Sequence, residues 1–373
     1  MCAHRNDHCE KCRPDDDIAS WVGLSLIPGL GDESYRKLLR AFGEPKEIYA
    51  ASYASLTGVV GRAVAEGVRR GVDPDQLAPL FAWLSNEQNH IVTLADTEYP
   101  QSLLQIPDPP PLLYVKGRLD LLNQPAMAVV GSRNATPQGK MNAESFSRNL
   151  SDSGLCVVSG MALGIDAAAH RGGLDGASSS IAVIGTGLDI VYPSRNHALA
   201  HELAQHGTLI SEFPLGTTAM AHNFPRRNRI ICGLSLGCLV IEAAIRSGSL
   251  ITARLAVEQG RDVFAIPGSI HSPVSKGCHA LIKQGAKLVE CANDILDELK
   301  WPSPQNPDTA NAEASPENDR HPLLDALGFD PVGIDALTAR SGLTSDTVCA
   351  MLLQFELEGR IACLPGGLYQ LIT

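Results

Sequence analysis

The sequence has no excess of positive charge. Its 373 residues carry 30 Lys and Arg against 41 Asp and Glu, a net charge of -11, which excludes a protein that coats nucleic acid through general basicity. It also has no run near the ~18 apolar residues that a membrane-spanning helix needs. The opening string MCAHRNDHCEKCRPDDD has no apolar stretch of a secretory leader, so the cytoplasm is the expected compartment and no membrane contact is expected. The composition, 44% hydrophobic against 19% charged, excludes a wholly disordered chain. Ten cysteines are present, but they are scattered, and several (Cys156, Cys232, Cys238, Cys291) stand in apolar surroundings. They read as buried reduced thiols rather than a disulfide framework. Cys9 and Cys12 form a CxxC near His4 and His8 with no second CxxC to close a zinc site. No metal or cofactor is expected, and residues 1–17 read as a flexible tail.

The length is two to three times that of a domain of roughly 100 to 200 residues. From Trp21, the string WVGLSLIPGLGDESYRKLLRAFG sets apolar residues at helical spacing around the IPGLG turn at 27–31. Residues 18–90 therefore read as a small helical unit of SAM or helix-hairpin-helix type, whose turn amides are one candidate contact for DNA phosphate. Residues 91–300 read as one α/β domain. The runs AMAVVG, LCVVSG, SIAVIG, TLISEF, CLVIEA and DVFAIPG alternate with amphipathic stretches, the pattern of an extended Rossmann-like, doubly wound parallel sheet covered on both faces. Ligands on such sheets bind beyond the carboxyl ends of the strands. Residues 301–320, rich in Pro, Asn, Ala and acids, read as a linker. Residues 321–373 read as helix, turn, helix and two strands about Pro365-Gly366-Gly367, a winged helix.

The charge is unevenly spread, with 15 Lys and Arg against 14 Asp and Glu over residues 126–300 but three against seven over 318–373. The neutral middle leaves room for an anion-binding face. In VGSRNATPQGKMNA, Gly131, Ser132 and Arg133 turn from strand to helix, where amides, a hydroxyl and a guanidinium suit a phosphate. The string is neither GxGxxG nor a P-loop. In VVSGMALGIDAAAHRGGL, Ser159 and Gly160 end a strand, and Asp166 and His170 share a helical face, an acid–base pair or a loop fastener. In IGTGLDIVYPSRNHALAHEL, Tyr192 and Arg195 pair an aromatic ring with a cation. HNFPRRNRII is the densest basic cluster: Phe224 precedes Arg226, Arg227, Asn228 and Arg229, a composition that stacks bases and pairs phosphates of a single strand. The alternative is a rim salt-bridge network with acids such as Glu212 or Glu242. Ser247 and Gly248, with Ser249, precede a further helix whose N-terminal amides can receive an anion, and Lys276 stands at a loop tip.

Taken together, GSR, SGMALGID, GTGLDIVYPSRN, FPRRNR, EAAIRSGSLITARLA, GRDVFAIPG and SKGCHALIKQGA, in this order, resemble the bacterial DNA-processing protein A (DprA/Smf) family over nearly the whole chain after residue 17. The resemblance implies a non-enzymatic protein that binds and protects single-stranded DNA during natural transformation. It also implies that the protein loads RecA recombinase onto the strand, helps displace single-strand-binding protein, and forms a homodimer through the central domain. Carried to this chain, the pocket comprises Gly131, Ser132, Arg133, the backbone at Ser159 and Gly160, the segment from Phe224 to Arg229, and Lys276. The C-terminal module departs by its net charge of -4, which favours a protein-facing role over DNA contact. The rival class is a nucleotide hydrolase of the lysine-decarboxylase-like phosphoribohydrolases. Their PGGxGTxxE motif is replaced here by RSGSLITARLA, with Glu242 upstream.

Overall fold

The structure, a computed structural model, describes residues 14–302 and 321–372. The Cys and His residues of the N-terminal tail and most of the expected linker lie outside the described residues. The first helix already begins at Pro14, inside the expected tail. Six helices open the fold: α1 (Pro14–Ser25), α2 (Asp32–Phe42), α3 (Pro45–Ala50), α4 (Tyr53–Thr57), α5 (Arg62–Arg70) and α6 (Pro74–Leu84). The central region runs β1 (Asn89–Thr93), β2 (Leu112–Gly117), β3 (Ala126–Val130), α7 (Pro137–Asp152), β4 (Cys156–Ser159), α8 (Ile165–Asp175), β5 (Ser180–Val183), α9 (His197–His206) and β6 (Thr208–Ser211). It continues α10 (Asn223–Leu234), β7 (Gly237–Val240), α11 (Ser249–Glu258), β8 (Asp262–Ala265), α12 (Lys276–Lys283), β9 (Lys287–Leu288) and α13 (Ala292–Glu298). The C-terminal unit is α14 (Pro322–Leu327), β10 (Val332–Gly333), α15 (Ile334–Ser341), α16 (Ser345–Leu357), β11 (Ile361–Leu364) and β12 (Leu368–Leu371).

The nine strands of the main sheet lie in the order β1-β2-β6-β5-β4-β3-β7-β8-β9. From β6 to β9 every pairing is parallel, and all residues of β3, β4, β5 and β7 are buried. That burial is why these strands read as unbroken apolar runs, because helices cover both faces of a parallel sheet. The sheet is not wholly parallel: β2 runs antiparallel to β6, and β1 antiparallel to β2. The chain winds outward from β3 through β4, β5 and β6, then returns to lay β7 on β3's other side. This places the topological switch between β3 and β7, and the loops beyond their carboxyl ends are where a ligand crevice opens.

The opening helices have no core of their own. Trp21, Leu24, Leu38 and Leu56 belong to one buried cluster with Tyr114 of β2, Ala182 of β5 and Leu199 and Leu203 of α9. Burying each such Leu or Val contributes about 1.5 to 3 kcal/mol, so the helices are held on one face of the sheet by an ordinary hydrophobic contact. Cys156, Cys232, Cys238 and Cys278 are buried and free, as their apolar settings suggest, whereas Cys291 is exposed. It caps α13 instead. Burial pushes the thiols of Cys156 and Cys232 up to about 12, so they stay protonated and unreactive at neutral pH.

The winged helix has its own core of Leu323, Leu327, Leu337, Val348, Leu352 and Phe355, with β10, β12 and β11 forming a three-stranded antiparallel sheet. Trp301, placed by sequence in the linker, belongs to the central fold. Its ring packs against the cluster of Phe146, Leu150 and Ile295, and its Nε1 donates to the Ser153 carbonyl at 2.8 Å. Replacing Trp301 with Ala is therefore expected to lower stability by about 2 kcal/mol, because a half-buried ring and one hydrogen bond are lost. Urea denaturation checks it, and a variant within 0.5 kcal/mol (~) of the parent would return Trp301 to the linker.

Candidate nucleic-acid interface

A groove of about 720 Å³ opens beyond the carboxyl ends of β3 and β7. Its walls come from the loop after β3 (Gly131, Ser132, Arg133), the N-terminal half of α10 (Phe224, Arg227, Asn228) and the loop before α11 (Arg246, Ser247, Gly248), with Asp166 and Tyr192 between them. Sequence-distant segments meet here because the switch in strand order sends their connections to the same end of the sheet. A volume of this size falls in the range of small-molecule and nucleotide sites.

The upper wall is aromatic and cationic. The Arg133 guanidinium lies 5.8 Å from the centroid of the Phe224 ring, within the reach of a cation–π contact. The Tyr192 ring stands 5.5 Å from Phe224 at 42°. Tyr192 is 49% exposed, so its ring is available rather than consumed by the core. Arg133 and Arg246 are exposed, and neither has a carboxylate within ion-pair distance among the described residues. Asn223 fixes the start of α10: its side-chain amide, buried, donates to the Gly185 carbonyl at 3.1 Å.

The floor is built differently. Arg227 is buried and donates through Nη1 to the Val183 carbonyl, while its Nε has no partner among the described residues. Burial lowers its guanidinium to about 10, and the Asp166 carboxylate opposes that fall, so Arg227 keeps its charge at neutral pH. A Cβ at Gly160 would collide with the Arg227 guanidinium, so glycine is there to let the cation in. Gly164, at φ +81 with the Ser132 and Arg133 carbonyls against it, lets α8 start close to the loop after β3. Asp166 accepts from the Ala162 amide at 3.3 Å, and desolvation holds its carboxyl above the usual range against the pull of Arg227 and Arg133. His170 is fully buried, with Nδ1 at 2.8 Å from the Ser180 hydroxyl and Nε2 accepting from the Met161 amide at 3.3 Å. Both residues of the pair fasten the 160–162 loop.

The structure separates the predicted residues into groups. Gly131, Ser132, Arg133, Tyr192, Phe224, Arg227, Asn228, Ser247 and Gly248 come together in the groove. The backbone at Ser159 and Gly160 does not: both residues are buried and outside the groove lining, and the Ser159 hydroxyl donates to the Val129 carbonyl at 2.6 Å. Arg195 and Lys276 are exposed on other surfaces, outside the groove lining. Arg229 and Arg226 face away from it into an ion cluster. Arg229 reaches Glu212 at 2.7 Å, Asp108 at 2.8 Å and Asp32 at 3.3 Å, and Arg226 reaches Asp32 at 2.6 Å and Glu212 at 3.0 Å. The salt-bridge alternative therefore holds for these two arginines and the groove role for Arg227, which follows Arg226 directly and stands two residues before Arg229. Helix α10 spans all three, and a rotation of about 100° per residue sends neighbours to different faces.

Two anion-binding expectations at helix starts are also corrected. The start of α7 is already occupied by a carboxylate: Glu242 accepts from the Thr136 amide at 2.9 Å and hydroxyl at 2.5 Å, and Thr136 in turn caps Gly139. At α11, the amides of Leu250 and Ile251 bond back to the carbonyls of Ser247 and Gly248. In the opening helices, Asp32 and Glu33 occupy the first turn of α2 beyond the IPGLG turn, so that helix start is already supplied with carboxylates of the chain itself. Arg246 is the groove residue that sequence reasoning missed. Its signal was present in the string AIRSGS, a cation immediately before the serines that were singled out.

Fold and site together define a Rossmann-like anion-binding protein whose groove sets cations beside aromatic rings. The family described as DNA recombination-mediator protein A matches residues 90–300, and the DprA winged helix domain matches residues 307–367. Protein Smf of Escherichia coli is 44% identical over 78% of this chain and 80% of its own length. The solved DNA processing protein A of Streptococcus pneumoniae is 40% identical, with a TM-score of 0.67, covering 75% of this chain and 96% of that one. The DNA processing protein A of Helicobacter pylori, whose solved structure is described by its single-stranded DNA binding mode, is 30% identical with a TM-score of 0.52 over 57% of this chain and 97% of that one. This chain belongs to the DNA processing protein A (DprA/Smf) family.

Stability measurements distinguish the two kinds of arginine. Arg229→Ala leaves Glu212, 2% exposed, with a major partner gone, and is expected to cost about 3 kcal/mol. Arg133→Ala, at an exposed and unpaired side chain, is expected to stay within about 0.5 kcal/mol of the parent in the same urea titration. Equal losses would contradict the division.

His170 predicts a pH dependence. Burial holds its imidazole down at about 3 against an ordinary value of 6.5, so between these limits the unfolded chain binds a proton that the native one does not. Stability conferred by the neutral ring is then complete above pH 6.5 and lost as pH falls toward 3, with a slope of up to ~1.4 kcal/mol per pH unit. His170→Asn should remove that component, and an unchanged slope between pH 6 (~) and pH 4 (~) in the folded variant would refute it.

Proposed function

We propose that this chain binds single-stranded DNA in the groove beyond β3 and β7 without chemical turnover. The observation that carries the reading is the stack of Arg133 on Phe224 with Tyr192 beside it. Base faces stack on such rings irrespective of sequence, while guanidinium groups meet the phosphates. The charged guanidinium of Arg227 in the groove lining supports an anion there, and the relative from Helicobacter pylori, with its single-stranded DNA binding mode, supports the choice of ligand. The hydrolase alternative needs a free carboxylate at the site, and Glu242 is turned onto α7. In this reading the protein works in the cytoplasm, protects the incoming strand during DNA uptake, loads RecA recombinase onto it and helps displace single-strand-binding protein. It does so as a homodimer through the central domain, for which the exposed Val257 of α11 offers apolar surface. Sedimentation showing a monomer at every concentration would remove the dimer alone.

The test of the groove is affinity for a labelled oligonucleotide against salt. Arg133→Ala and Arg246→Ala should each weaken binding and lower the salt slope by about 0.7, one phosphate contact apiece. Phe224→Ala should cost about 1 to 3 kcal/mol of binding with little change in slope. Arg195→Ala, outside the groove, should leave both unchanged. Unaltered affinity in the three groove variants, or equal affinity for duplex, would overturn the proposal.

A further inference from the structure

In helix-turn-helix proteins the second helix of the motif enters the DNA major groove, and α16 holds that place in the winged helix, following α15 across the 342–344 turn. Its inward face is Val348, Leu352 and Phe355, all buried. The opposite face is apolar as well. Leu353 and Leu357 are 59% and 82% exposed, and Ala350, also exposed, continues the stripe one turn earlier. Positions 350, 353 and 357 follow the i, i+3, i+7 spacing by which one helix grips another. Asp346 heads the stripe one turn before Ala350 and Glu356 flanks it, both exposed, and α16 contains no Lys or Arg. The nearest cation in sequence, Arg360, lies 5.2 Å above the Phe355 ring and 3.9 Å from Glu358. A surface without cations cannot attract a phosphate backbone.

We propose that this outward face of α16 docks a protein segment that is itself an amphipathic helix, apolar on one side and basic along its edges. Charge decides between this occupant and the two nearest to hand. The 303–320 segment contains no Leu, Ile, Val, Phe or Met and four acids against one Arg, so it brings neither an apolar anchor nor the complementary sign. A second copy would set Asp346 and Glu356 against their own kind, and like charges across an interface oppose association. A basic edge pairs with both carboxylates while its apolar side covers the two leucines.

The experiment uses the full chain and a fluorescein-labelled synthetic helix with Leu at heptad a and d positions and Lys at e and g. Two controls carry Glu in place of Lys, or Ser in place of Leu. Binding is expected for the Leu–Lys peptide and for neither control. The double variant L353Q/L357Q changes exposed side chains, so its thermal unfolding should match the parent while peptide affinity falls at least tenfold. D346K/E356K should lower that affinity and raise affinity for the Glu control. Single-stranded DNA binding should be unchanged in L353Q/L357Q, which separates this proposal from the groove reading. Equal binding of the Leu and Ser peptides, unchanged affinity in L353Q/L357Q, a dimer that L353Q/L357Q disperses in sedimentation, or duplex binding that this variant abolishes would each overturn it.

Discussion

A charge taken out of water must be answered by another, and the cluster around Glu212 is where this fold meets that demand. Glu212 is 2% exposed in its side chain, and it is matched by Arg229 and Arg226 of α10. Asp32 of α2 and Asp108, between β1 and β2, complete the cluster. Three separate stretches of chain are thereby fixed to one helix. Because α10 also carries Phe224, Arg227 and Asn228, the ion cluster on one of its faces sets the position of the groove residues on the other. The helical unit packed on the sheet is thus part of what holds the site, through Asp32, although none of its residues lines the groove.

The same constraint explains how an acidic protein presents a basic groove. Carboxylates at the rim would oppose a polyanion, but Asp32, Asp108 and Glu212 are engaged by two arginines, and Glu242 by the start of α7. Asp166, the remaining acid in the lining, sits beneath Arg227 and is pushed by burial toward its neutral form. Arg133 and Arg246 are then the charges that solvent and ligand meet. The field a ligand feels comes from the charges left unpaired near it, and the net charge of the chain says little about that local balance.

What was legible in the sequence follows from the length scale of each signal. Strands buried on both faces announce themselves as apolar runs, so β3, β4, β5 and β7 and the crevice at their ends could be placed from composition alone. The antiparallel β1–β2 pair is short and is split by the prolines at 109–111, and its direction depends on a partner, β6, more than 90 residues away (~) in the chain. The site was legible as a set of segments and less so as a set of side chains. Arg226, Arg227 and Arg229 are one cluster when written as letters. On a helix they are three directions, and which of them meets Glu212 is decided by tertiary packing. The backbone at Ser159 and Gly160 looked available at a strand end because sequence does not show that both residues are buried, with the Arg227 guanidinium against Gly160.

The C-terminal unit carries the same lesson with the opposite sign. A helix-turn-helix pattern by itself suggests DNA, since that is where the motif places its second helix. The fold confirms the pattern, yet the side chains on the exposed face of α16 are leucines between carboxylates. Shape and chemistry separate here, because core positions such as Val348, Leu352 and Phe355 determine that the helix packs as a winged helix, while positions 346, 350, 353 and 357 are free to vary without unfolding it. The proposed docking surface draws on the second set. In the central domain the two sets overlap on α10, where Arg229 secures the helix and Arg227 faces the groove, and for that reason the basic cluster could not be assigned to one role.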